Sequence, residues 1–373
     1  MLIEQLPIAA TPKYNFPQIH HETLFPQEFL ELSIRSIKSK NPNPQLSVAQ
    51  LNEENLDNLL LNTVTKKLTV HSYHLKPSLE ETTVIGIDVS SIKIGETPGG
   101  SLIALRGVVV YKQKSKYRYI RLGPFPLHVT EENKHEIFCL LSRNSFVHTQ
   151  SGISFSLRSG LHNGLTIDAN LTVLQTRVTS LFEDCLQKNL AETTYNSLIL
   201  FDGSLTVKAG DSFAFMKERI LETAKKNNNS VLAFSKATRL RLRGRLLTDI
   251  VWKNQPPSLL EIQNMPERIG AVQFLGNIYV ARLRDKENTY RLDIYKEIPQ
   301  QQCVDAVQRL MGNDSLVHGY PETLRLAHIL STFTANEVLG IQRYLAKHYG
   351  LKIMSRQNVR KMLFGPYGTG VEE

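Results

Sequence analysis

The sequence predicts an α/β protein with a mixed sheet and flanking helices, and three observations carry that prediction. Residues 84–130 hold three apolar runs, "TVIGIDVSSIKIG", "SLIALRGVVVYK" and "YRYIRLGPFPLHV", joined by the turn-rich "TPGG" and "KQKSK", which is the pattern of an antiparallel meander. Ile167, Leu171, Leu174, Val178, Leu181 and Cys185 then recur at helical spacing. A fourth strand-like run, "SLILFD", stops on an acid followed by glycine, a common exit from a strand. The element order is β-β-β-α-β.

Residues 1–80 read as an N-terminal helical arm. Within it, "FPQEFLELSIRSIKSKNPNPQLSVAQLNEENLDNLLLNTV" (25–64) gives two amphipathic helices split by the breaker "NPNP", with Leu30, Ile34 and Ile37 on one stripe. Such an arm docks on its own domain, on a second subunit or on another partner. The main domain is expected over 81–335, and a C-terminal helical extension and tail over 336–373.

The composition is that of an ordinary globular chain, with 373 residues of which 41% are hydrophobic. No run approaches the roughly 18 apolar residues of a membrane span, and Glu4 interrupts the basic-then-apolar order of a signal peptide. A cytoplasmic location is the expectation. The three cysteines, Cys139, Cys185 and Cys303, are widely spaced in apolar contexts and read as core residues rather than a disulfide framework or zinc cage. His71 and His74, and the pair His20 and His21, lack Cys or acidic partners at zinc spacing.

A net charge of +9 suits a polyanionic partner, and its distribution is uneven. "RLRLRGRLL" sets Arg239, Arg241, Arg243 and Arg245 at alternate positions, which an extended segment projects from one side. "YKQKSKYRYIR" interleaves Lys112, Lys114, Lys116, Arg118 and Arg121 with Tyr111, Tyr117 and Tyr119. Cations neutralise phosphates and tyrosine faces stack bases, so both stretches can line a nucleic-acid groove; a solvated hairpin and loop is the plainer alternative.

Two strand-end acids, Asp88 in "VIGIDVSS" and Asp202 in "LFDGSL", need a joint explanation. The β-β-β-α-β order begins a ribonuclease-H-like domain, in which the first and fourth strands lie side by side. Acids at their ends then meet in space and relieve their repulsion by sharing hard divalent cations, magnesium or manganese. Two such ions about 3.5–4 Å apart support phosphodiester hydrolysis. The crossover helix supplies a candidate third acid, Glu183, which points away from the apolar stripe, with Asp184 in reserve.

Together "GIDVSS", "LFDGSL", "FSKATRLR", "YVARLRDKENTYRLDI" and "HGYPETLRLAHILSTFT", in that order from about 84 to 334, resemble the NurA nuclease family. The resemblance implies a manganese- or magnesium-dependent DNA nuclease, exonuclease or endonuclease, with 5′-to-3′ polarity suggested by the family. It further implies a dimer that works with a hexameric HerA-like DNA-translocating ATPase in DNA end resection and double-strand break repair. By that resemblance Asp88, Asp202 and Glu183 are metal ligands, and Tyr320 and His328 match the tyrosine and histidine of the C-terminal motif. Lys236 is expected to neutralise a phosphate oxygen. The chain departs from the family pattern at Val89, where glycine is usual, and at "KAT", where small hydroxyl residues are commoner.

In "PETLRLAHILSTF" a helix is expected to start after Pro321, with Leu324, Leu326 and Ile329 packing and His328 free to bind metal, hold phosphate or transfer protons. "GPYGTG" lacks the following Lys and Ser or Thr of a phosphate-binding Walker loop, so ATP hydrolysis falls to a partner. An actin-like or sugar-kinase reading of "VIGIDVSS" requires a second acid-plus-glycine hairpin that the sequence does not contain. A non-catalytic DNA-binding subunit is the remaining alternative.

Overall fold

The computed structural model describes residues 25–38, 69–134, 136–137, 171–208, 212–238, 240–242, 245–249 and 255–354. In chain order the main elements are α1 (Phe25–Lys38), β1 (Thr69–His74), β2 (Thr83–Thr97), β3 (Gly100–Gln113), β4 (Lys116–Thr130), α2 (Leu171–Thr193) and β5 (Ser197–Asp202). They continue with α3 (Ser212–Lys226), β6 (Ser230–Ser235), β7 (Ser258–Gln263), β8 (Gly276–Arg282), β9 (Tyr290–Tyr295), α4 (Gln300–Asn313), α5 (Glu322–Ser331) and α6 (Ala335–Tyr349).

The three apolar runs do form a meander, because each alternates side chains toward two covered faces. β2 pairs antiparallel with β3 and parallel with β5, and β5 pairs parallel with β6. Across the sheet these strands run β4-β3-β2-β5-β6, the ribonuclease-H-like order, and β9, β8, β7 and β1 extend it antiparallel to nine strands. The edge strand β1 lies inside the segment that reads as a helical arm. Its sequence, TVHSYH, has the β-branched and aromatic content that favours an extended chain beside β7.

Two glycines set the helices on opposite faces. A Cβ on Gly86 would stand 2.8 Å from the Thr323 carbonyl oxygen, so α5 rests directly on β2 there. A Cβ on Gly107 would meet Leu186 and Phe182 of α2, and Gly107 is paired with Val89, which alternates away from Gly86 and Asp88. Asp88 therefore faces α5, while α2 covers the other side.

α1 packs on the α2 face of its own sheet. Phe29, Leu32 and Ile37 are fully buried, and Phe29 stacks on Phe182 at 5.5 Å and meets Phe125 edge-on at 5.2 Å. Leu30 and Ile34 of the expected stripe are half-buried. The second expected arm helix, Ile167, Cys139, His20, His21 and the tail from 355 onward lie outside the described residues. Cys185 and Cys303 are buried and unbridged, as expected. No helix among the described residues is long and apolar enough to cross a membrane.

α6 begins on a capping box, Thr334 with Glu337. The same Glu337 carboxylate accepts from Arg106 at 2.7 Å and from Arg121 at 2.8 Å, which ties α6 to the meander. Burial pushes the Glu337 carboxyl upward, but the Arg106 hydrogen bonds and the Thr334 backbone N–H outweigh it and hold its pKa at about 2.

Candidate metal centre

β2 and β5 are registered with Ile87 opposite Phe201, so the following residues, Asp88 and Asp202, stand side by side. The exit from β5 is made by Gly203, whose φ of 113° lies in the region open to glycine. Its N–H donates to Phe234 at 2.8 Å, and its carbonyl accepts from Ser235 Oγ at 2.8 Å. The Leu205 N–H donates to Asp293 Oδ2 at 3.0 Å, and Asp293 is held by a bidentate, buried pair with Arg291. The acid thus sits on a clamped loop.

α5 brings the third group. The helix opens at Glu322, directly after Pro321 as the sequence predicts, and His328 lies in its last turn. Pro321 closes the preceding short strand and caps the helix. The inner face of α5 carries Leu324 and Ala327, both fully buried, and Ile329, expected to pack, is 50% exposed. His328 Nδ1 lies 3.5 Å from Asp88 Oδ1 and 3.9 Å from Asp202 Oδ2. Ligand atoms of Asp88, Asp202 and His328 all fall within 4.8 Å of one another.

Neighbouring groups orient these carboxylates. Ser331 Oγ donates to Asp88 Oδ2, and Ser90 Oγ stands 3.4 Å from the same oxygen and 2.8 Å from Ser331 Oγ. Lys236 Nζ donates to Asp202 Oδ2 at 2.6 Å, and Tyr320 Oη faces Asp202 Oδ1 at 3.4 Å. Burial, then the Asp202 charge and hydrogen bond, push the Tyr320 phenol well above its ordinary range, so it remains a neutral donor. Sequence reasoning missed Ser90 and Ser331. Ser90 is legible after the fact, two residues beyond Asp88 on the same face; Ser331 becomes visible only once α5 is docked.

Glu183 is not in that 4.8 Å group. It lies on α2, beyond the opposite face, and accepts from Gln187 Nε2 at 2.7 Å. Burial raises its pKa to about 7; Lys217 opposes the rise, and the charges of Asp184, Asp88 and Asp202 add to it. Glu183 therefore senses the two strand acids without joining them. The reserve candidate, Asp184, is buried and ion-paired with Lys217 at 2.9 Å.

The basic stretches divide. Within "RLRLRGRLL" the described residues do not form one extended segment: Arg241–Leu242 and Arg245–Leu246 pair antiparallel, with Arg241 opposite Leu246 and Leu242 opposite Arg245. That register puts Arg241 and Arg245 on opposite faces of the ribbon; Arg239 and Arg243 are outside the described residues. In the β3–β4 hairpin, Val84 pairs with Lys112 and Lys112 with Tyr117. Lys116 and Arg118 consequently lie at the starting end of β2, about 13 Å along the strand from Asp88 at 3.3 Å per residue. Tyr111 is in the core and Tyr117 donates to Asp314 at 2.8 Å, so neither offers a stacking face, whereas Tyr119 is exposed.

A cleft of about 640 Å³ opens beside the cluster, with Lys236, Tyr320 and His328 in its wall. The donor set fits a hard divalent cation: two carboxylates and an imidazole converge, and their net negative charge has only Lys236 as close counter-charge among the described contacts.

No protein-family model matches the sequence, and no curated protein matches it. Among solved structures the chain is similar to the NurA nuclease from Sulfolobus solfataricus, at 15% identity and a TM-score of 0.43, over 77% of this chain and 89% of that one. It is also similar to an endonuclease V from Bacillus subtilis, at 12% identity and a TM-score of 0.30, over 73% and 89% of the two chains.

Proposed function

We propose that this chain is a divalent-metal-dependent DNA nuclease, and the observation that carries the reading is the convergence of Asp88, Asp202 and His328 within 4.8 Å. Their placement on adjacent parallel strands and a capping helix is the arrangement expected for hydrolysing a phosphodiester. Asp88, Asp202 and His328 would hold magnesium or manganese, with Glu183, whose carboxyl feels the Asp88 and Asp202 charges, as the further candidate carboxylate. When bound, the metal supplies Lewis-acid activation of water and of the scissile phosphate.

The chain's own residues do the rest. Ser331 and Ser90 fix the Asp88 carboxylate, leaving Oδ1 toward His328. Tyr320 and Lys236 hold the two oxygens of Asp202. Lys236 is mobile enough on its long stem to leave Asp202 for a non-bridging phosphate oxygen once a metal neutralises that acid. His328, half-exposed in the cleft wall, can move a proton at the leaving oxygen.

The motif resemblance extends the reading to DNA end resection and break repair as a homodimer with a HerA-like ATPase in the cytoplasm, with 5′-to-3′ exonuclease or endonuclease action. The competing reading, a non-catalytic DNA-binding subunit, rests on one observation: Lys236 and Ser331 already satisfy the two acids. Incubating end-labelled DNA with manganese, magnesium or EDTA, alone and with the cognate ATPase, separates the two. Metal-dependent cutting supports the nuclease; binding without cutting under every condition supports the subunit.

A further inference from the structure

Beneath the strand acids, on the α2 face of the sheet, lies a row of buried polar groups that the proposed chemistry does not use. Phe201 immediately precedes Asp202 and, by alternation along β5, points to the face opposite that acid. The Lys217 ammonium of α3 stands 5.3 Å from the centre of the Phe201 ring. It donates to Asp184 Oδ1 at 2.9 Å and to Gln187 Oε1 at 2.5 Å, and its side chain is only 18% exposed. An ammonium carries three donors and no acceptor, so it decides which end of the Gln187 amide it meets. The amide oxygen faces Lys217, and the amide nitrogen is left to donate elsewhere.

That nitrogen donates to Glu183 Oε1 at 2.7 Å, one turn earlier on α2. Gln187 is 1% exposed, so water does not compete for either end of its amide. Among the described residues no hydrogen bond engages Glu183 Oε2, and the charges of Asp88 and Asp202 reach this carboxyl. One oxygen of Glu183 is thus anchored and the other is left for an ion shared with those acids. The three side chains form a relay in which a cation sets an amide and the amide sets a carboxylate. A Lys217–Asp184 ion pair alone would satisfy both of its buried charges; Gln187 adds a link that leads on to Glu183.

We propose that Lys217 and Gln187 are positioning residues for the metal centre, acting through Glu183, whose carboxylate they hold in one orientation. This rests on the nuclease reading, in which Glu183 is the further candidate carboxylate, and it adds two residues that touch neither substrate nor ion. Groups that orient a metal ligand in this way change metal affinity by about 10–100-fold when they are removed. In Lys217→Met the amide loses the donor that orients it, and in Gln187→Met Glu183 loses its anchor. Gln187→Glu keeps the shape and the acceptor for Lys217 but offers Glu183 no donor.

The test is calorimetric titration of the full chain with Mn²⁺ in the absence of DNA, alongside melting temperatures in EDTA. Gln187→Met and Gln187→Glu are each expected to weaken Mn²⁺ binding at least about tenfold with little change in melting temperature. Lys217→Met is expected to weaken it as much and also to lower the melting temperature, because buried Asp184 loses its partner. Glu183→Gln is expected to weaken binding to a similar degree, and adding Gln187→Met to it is expected to cost nothing further, because the amide acts through that carboxylate. In cleavage of end-labelled DNA the deficit of Gln187→Met should be recovered by raising manganese, which a loss of packing would not allow. Unchanged Mn²⁺ affinity in both Gln187 variants or in folded Lys217→Met, or a Gln187→Met loss that persists undiminished in Glu183→Gln, would overturn the relay alone. A wild-type chain that binds no Mn²⁺ would remove the nuclease reading and the relay with it, so the two failures are distinguishable.

Discussion

At the scale of single residues, the acids are already engaged by protein groups, and this shapes what substitutions do. Lys236 is the cation on Asp202, at 2.6 Å, and a divalent ion must compete with it. Lys236→Met is therefore expected to tighten Mn²⁺ binding several-fold in direct titration while lowering the cleavage rate, since the phosphate loses a cation. A uniform loss of both would place Lys236 in a purely structural role. Glu183 gives a pH signature. Its folded pKa, raised by burial to about 7 against an ordinary 4.5, means that folding favours its protonated form. The associated stability is full below pH 4.5 and is lost as pH rises through 7. In EDTA, Glu183→Gln should stabilise the protein at pH 8 by up to about 3 kcal/mol, at 1.36 kcal/mol per pKa unit, and leave it unchanged at pH 4. Urea unfolding at the two pH values checks this.

At the scale of elements, α5 is seated on β2 at Gly86 and α6 is tied to the meander through Glu337. Gly86→Ala drives a Cβ to 2.8 Å from the Thr323 carbonyl oxygen, backbone that cannot swing aside. It should cost about 1–3 kcal/mol and lower cleavage further by displacing His328 on the same helix. Glu337→Ala leaves the Arg106 guanidinium, 1% exposed, buried without its carboxylate, a change worth about 3–5 kcal/mol. Glu337 holds its pKa at about 2, below its unfolded value, so its stabilisation is present above pH 4.5 and fades as pH falls toward 2. Thermal melting from pH 7 to 3 should show a wild-type decline that the variant lacks. The elements were legible where periodicity is strong. The β2–β4 meander, α2 and β5 follow from alternation and helical spacing in the sequence, and Asp88 and Asp202 follow from their place at strand ends. β1 was not legible because its pairing with β7 spans almost 200 residues, and local pattern carries no such information. Alternating arginines in "RLRLRGRLL" suit a straight strand as well as a hairpin, and only the pairing of Arg241 with Leu246 decides between them. Ser331 was invisible because only the packing of α5 over Gly86 brings it to Asp88.

At the scale of the molecule, five strands in ribonuclease-H-like order form a platform, four antiparallel strands widen it, and helices on both faces position the site. α1 belongs to this body: its Phe29, Leu32 and Ile37 are fully buried. Truncation through Lys38 removes three side chains worth about 1.5–3 kcal/mol each and should lower the melting temperature sharply while exposing Phe125 and Phe182. An unchanged melting temperature would contradict that packing. The site itself is tested most directly by cleavage of end-labelled single- and double-stranded DNA with manganese, magnesium or EDTA, comparing wild type with Asp202→Asn after circular dichroism shows both folded. Metal-dependent cutting by the wild type, reduced at least about 100-fold in the variant, is the predicted result. Undiminished cutting by folded Asp202→Asn, or none by the wild type with any metal and with the cognate ATPase present, would contradict it.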